Sequence, residues 1–248
     1  MEVHAHTHTP RKKWTHYFWE FIMLFLAVTL GFLVENQREH YIEHQRAKSY
    51  AANMYQELKK DTLDLHTLIG ETRDLCAKLD TFCLLWQTKD KNTSTGMLYY
   101  YSNYTTYGAP FSPNNATLEQ LKNSGNLRYF SREVSNKISE YDRFLRHLDK
   151  ELNTAMSEYQ KMTQLRLQIF DGLVAADFYT SDPGIRRDSL FSLNPSLVNE
   201  DPRLMREFMG WVKWISEVYR DQMRRHFTPL KKQATELIGL LKKEYHLE

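Results

Sequence analysis

Residues Tyr17 to Val34, YFWEFIMLFLAVTLGFLV, form an almost unbroken apolar run in a chain whose mean hydropathy is −0.61. At about 1.5 Å per residue the run reaches roughly 27 Å as a helix, close to the ~30 Å hydrocarbon core of a bilayer. The sequence therefore predicts a tail over 1–16, a transmembrane helix over 17–34 and an extracytoplasmic region over 35–248. Trp14, Tyr17 and Trp19 stand at the entry end, where amphipathic rings hold the headgroup layer, while Arg11, Lys12 and Lys13 stay in water. A cleaved signal peptide is the competing reading. Its small-residue positions, Ala27, Thr29 and Gly31, are followed by more apolar sequence, Phe32 to Val34, which favours an uncleaved anchor.

Arg38, Arg46 and Lys48 follow the span and match the three basic residues before it, so the flanking charges tie. The contiguous cluster at 11–13 lies nearer the span and predicts a cytoplasmic N-terminus, since a long C-terminal region translocates largely regardless of charge. Within the run, Ala27 and Gly31 are a small-xxx-small pair on which two helices could approach closely. Glu20 follows His16 by one turn and sits at the interfacial end, where water or a neighbouring base can satisfy it.

Only nine Gly and seven Pro in 248 residues favour long uninterrupted helices, and a net charge of +2 gives no broad electrostatic attraction for nucleic acid. Cys76 and Cys83 lie seven residues apart on one helical stripe, about 10 Å, too far for an intrahelical disulfide. They read as small buried hydrophobes, with a bridge between two copies as the alternative.

Helical periodicity recurs three times. Leu58, Leu65, Leu68, Thr72, Leu75, Leu79, Phe82 and Trp86 mark a helix over 36–88 whose first part is a polar stalk. Phe130, Val134, Ile138, Tyr141, Leu145, Leu148, Met162, Leu165, Ile169 and Leu173 mark a second over 127–174. Leu204, Phe208, Trp211, Ile215, Tyr219, Leu230, Leu237 and Leu241 mark a third over 203–246, which Pro229 should kink or interrupt. The stretches 89–115 and 175–201 read as loops, apart from a short helix near 116–122 stopped at Gly125. The expected fold is all-α, a transmembrane helix continuing into an elongated antiparallel bundle of about three helices running up, down and up. That topology puts the first loop far from the membrane, the second near it and the C-terminus far from it. Its core would be thin, so a second copy or another protein would bury more apolar area.

Candidate chemistry is sparse. His40, Glu43 and His44 have the H-x-x-E-H spacing of a zinc peptidase class, yet they sit on the polar stalk with no pocket and no evident third ligand. His4, His6 and His8 read as a disordered tail able to hold a metal weakly. No strained nucleophile turn, Gly-rich phosphate loop or activated cysteine is evident. Asn92, Asn103 and Asn115 each begin an N-glycosylation pattern in one polar stretch, weak support for its exposure. That stretch also holds Tyr99, Tyr100, Tyr101, Tyr104 and Tyr107, which read equally as a contact loop or as packing at the bundle tip.

The opening block HTHTPRKKWTHYFWEFIMLFLAVTLGFLVENQREHYIEHQR, the central LEQLKNSGNLR and the closing LLKKEYHLE resemble an uncharacterised domain-of-unknown-function family of bacterial single-pass envelope proteins. The likeness runs from end to end. It implies a bacterial inner-membrane location with the helical portion in the periplasm, and it supplies no reaction, ligand or catalytic residue. Together these readings predict a non-enzymatic scaffold or accessory subunit of a cell-envelope complex, with no cofactor or metal, that binds an envelope protein or a second copy. The alternative is a ligand-sensing periplasmic domain signalling through a partner, because the tail before the span is too short for an output domain.

Overall fold

The structure, a computed structural model, describes residues 14–88, 94–106, 111–180 and 183–247, with side chains described outside 152–157, 177–180 and 183–186. Every regular element among the described residues is helical, so the chain is all-α. It divides into two compact units, Met1–Tyr50 and Ala51–Glu248. This boundary lies beyond the end of the apolar run.

Helix α1 (Trp14–Thr88) begins in the first unit. Its apolar window has a mean hydropathy of 2.0 with none of it buried, and α1 is the one described helix long and apolar enough to cross a membrane. His16 Nε2 lies 3.0 Å from Glu20 Oε1, the pairing that one-turn spacing allows.

In the second unit α1 buries one stripe, including Ala51, Met54, Leu58, Leu65, Leu68, Leu75, Leu79 and Phe82. Helix α2 (Thr95–Ser102) and a 3-10 turn (Asn103–Thr106) occupy part of the predicted loop 89–115. Ser94 caps α2 by accepting from the Met97 amide. Helix α3 (Ala116–Ser124) ends at Gly125, whose φ of +68° is the left-handed conformation that glycine adopts freely. Helix α4 (Arg132–Ile169) starts at an N-cap serine, Ser131, and stops at Phe170, which is extended. The predicted helix 127–174 is thereby shortened at both ends, and Leu173, assigned to its buried stripe, is 81% exposed.

Helix α5 (Gly172–Thr180) and helix α6 (Pro183–Leu193) fill much of the predicted loop 175–201. Pro183, inside the stretch expected as a loop, opens α6, where a missing N–H costs nothing. Helix α7 (Pro202–Gln222) leads through a π-helical turn (Met223–Phe227) into helix α8 (Thr228–Tyr245). The interruption expected at Pro229 takes the form of this π-helical turn. The ring would crowd the carbonyl of Arg225, and the widened turn lies around that residue.

Side-chain pairings give the helix directions within this unit, and they correct the expected topology. Tyr141 pairs with Asp61 and Phe170 packs on Phe82, so α4 runs parallel to α1. Lys137 pairs with Glu236 and Tyr159 stacks on Tyr219, so α7 and α8 run antiparallel to α4. The order is up, up, down. Between α1 and α4 the chain passes from one end to the other: the Lys78 ammonium sits over the Tyr104 ring, while Asn114 bonds Asp61 about 26 Å lower on α1. As a consequence α2 and α6 share one end of the unit, packed against each other. Tyr245 packs on Phe130 at the other end.

Aromatic rings fill the core where these helices converge. Phe82, Phe170 and Phe208 meet with centroids 5.9 to 6.4 Å apart, and Tyr99 stands edge-on to Phe170 at 5.0 Å.

Candidate functional site

The predicted contact loop is mostly a packing device. Tyr99 is fully buried; its hydroxyl donates to the Ser196 carbonyl at 3.0 Å and accepts from the Asp171 amide at 2.8 Å. One side chain thus ties α2 to the α4–α5 corner and to the segment before α7. Tyr100 is half-buried, edge-on to Tyr101, Tyr104 and Phe191. Only the outer faces of Tyr100, Tyr101 and Tyr104 remain partly open. Asn103 is buried and its amide donates to the Tyr99 carbonyl, so the folded chain does not present it for glycosylation. Tyr107, Arg11, Lys12 and Lys13 lie outside the described residues, as do His4, His6, His8 and Asn92.

Trp14, Tyr17 and Trp19 are exposed on α1, as are Ala27 and Gly31, with nothing within 4 Å of a β-carbon built at Gly31. His40, exposed, and Glu43, half-buried, stand 3.8 Å apart. Burial pushes both cysteine thiols up from their ordinary range, which keeps them protonated and unreactive. Cys76 and Cys83 line the core, as their stripe positions predict.

Two buried polar groups, Asp61 and Arg166, and the half-buried Glu57 escaped the sequence reading. Asp61 lies on the α1 stripe between Leu58 and Leu65, and its carboxylate accepts from the Tyr141 hydroxyl at 2.7 Å and from the Asn114 amide and side chain at 2.8 Å each. Glu57, one turn earlier, accepts from the Thr117 amide and hydroxyl and so caps α3 from another helix. Arg166 is buried on α4 and donates to Ser102 and Asn103. A charged residue at a stripe position is the one signal that could have found Asp61 and Arg166.

Two grooves open on the second unit. The first, about 630 Å³, runs between α4 and α7 and is lined by Glu151, Glu158, Trp214, Glu217, Arg220 and His226. Arg220 is anchored to Asp80 and Glu217, which raises its already high pKa further, while Trp214 presents an exposed indole. The second groove, also about 630 Å³, includes Trp86, Leu98, Leu197 and Met209. An exposed aromatic face beside carboxylates suits binding through apolar and charge-assisted contacts. No protein-family model, curated protein or solved structure matches the chain.

Proposed function

We propose that this protein is a membrane-anchored, non-enzymatic helical scaffold or accessory subunit of a bacterial cell-envelope complex. Residues 17–34 cross the inner membrane, the N-terminus is cytoplasmic, and residues 51–248 fold as a helical bundle in the periplasm. The resemblance of the opening, central and closing blocks to single-pass envelope proteins supports this location.

The observation that carries the partner-binding reading is apolar surface left uncovered at the α4–α5 corner. Leu167 and Leu173 flank that corner, and the Val198 amide bonds the Ile169 carbonyl beside it, leaving the three side chains exposed. Covering such a surface removes apolar area from water at about 25 cal/mol per Å². The partner is a second copy of the chain or an envelope protein with a matching apolar face.

The test is purification from native membranes in mild detergent, comparing the natural chain with a Leu173→Asp, Val198→Asp variant. A stoichiometric partner, present with the first and lost with the second, supports the proposal. A partner equally retained by both would remove this surface from the account, and a chain purified alone would remove the scaffold itself.

A further inference from the structure

The widened turn that accommodates Pro229 also brings two imidazoles together. His226, half-buried in the π-helical turn, faces His147 on α4 with ring centroids 5.1 Å apart and planes at 68°. Turns of this kind recur at functional sites. Glu151 follows His147 by four residues, one turn along the same face of α4, and its charge acts on His226.

The spacing has a chemical meaning. A zinc–nitrogen bond is about 2.0–2.1 Å, which puts a ligating imidazole's centre roughly 3.2 Å from the metal. Two such rings at a tetrahedral angle have centres about 5.2 Å apart. The separation in the fold is within 0.1 Å of this value. Beside the two rings, Arg225 and Asp221 are paired with each other at 2.8 Å.

We propose that His147 and His226 form a two-imidazole clip for a divalent transition metal of the zinc, nickel and copper class, with Glu151 as third ligand. Imidazole suits these ions, and water completes the coordination. Among the described residues no three metal-ligating side chains are already gathered, so Glu151 swings in as the ion enters. The ion would tie α4 to the junction of α7 and α8.

The experiment uses the full chain in detergent with His4, His6, His8, His40 and His44 replaced by alanine, which removes competing histidines. Thermal unfolding is followed with and without zinc chloride. At tenfold over its Kd the ion should raise the Tm by about 4 °C, and His147→Ala should abolish the rise. His147 is exposed, so its removal leaves the fold intact. Glu151→Gln should shift the zinc titration to higher concentration. No rise in the parent chain, or an equal rise after His147→Ala, would overturn the proposal.

Discussion

Gly96 and Leu190 meet backbone to backbone: a β-carbon placed on Gly96 would stand 2.0 Å from the Leu190 carbonyl oxygen. The contact lets α2 lie directly on α6. Asn194, in the left-handed conformation at φ +46°, completes it by accepting from the Thr95 hydroxyl and the Gly96 amide. Because backbone cannot yield as a flexible side chain does, Gly96→Ala should destabilise the second unit by about 3 kcal/mol. Gly210→Ala, in the interior of α7 with nothing within 4 Å, should stabilise by about 0.5–1 kcal/mol. Denaturant unfolding of the two variants checks both signs.

Three buried phenols predict an alkaline limit to stability. Burial, and then the charge of Asp61, push the Tyr141 pKa far up; burial, and then Tyr159, do the same to Tyr219. Burial, with Glu244 beside it, pushes Tyr245 up to about 12. The folded chain therefore holds these protons more tightly than the unfolded chain, whose tyrosines release them near pH 10. Their contribution is complete below about pH 10 and is lost as pH rises through the folded-state values. Stability measured from pH 8 to 11.5 should fall above about pH 10, and Tyr219→Phe should make the fall shallower.

Glu57 gives α3 the N-terminal acceptor that its own N-cap residue, Asn115, does not provide. Replacing Glu57 with alanine should cost about 1 kcal/mol and increase amide exchange first in Ala116–Ser124. An unchanged exchange rate there would mean that α3 is held by Leu118 and Leu121 alone.

Much of this was legible in the sequence because helical periodicity is a local signal. The stripes through Leu58 to Phe82 and Val134 to Ile169 are the buried faces in the fold, and Gly125 stops α3 as a C-terminal glycine should. The direction of the helices was not legible. It depends on whether the chain stays at one end between α2 and α3 or runs back, and that is decided by long-range bonds such as Asn114 to Asp61. That Pro229 would disturb the third helix was legible, but the form this takes was not, because a π-helical turn has no signature of its own. The tyrosines were ambiguous since a ring's burial depends on partners, here Asp171 and Ser196, about 70 to 100 residues away.

The apolar run makes a prediction independent of the bundle. Arginine near the centre of a membrane helix costs about 2.5–3.5 kcal/mol. The natural chain should stay with membranes through an alkaline carbonate wash, whereas Phe25→Arg with Leu26→Arg should release much of it. Equal release of both would mean that residues 17–34 do not span.

Whether the anchored helical chain works in company is read most directly from the protein mass of the detergent-solubilised particle, with bound detergent subtracted. The proposed partner-bound chain should have a mass above the 29.6 kDa of a single chain, reduced toward that value by Leu173→Asp with Val198→Asp. A natural chain that behaves as a 29.6 kDa monomer when extracted from its own membranes contradicts the proposal.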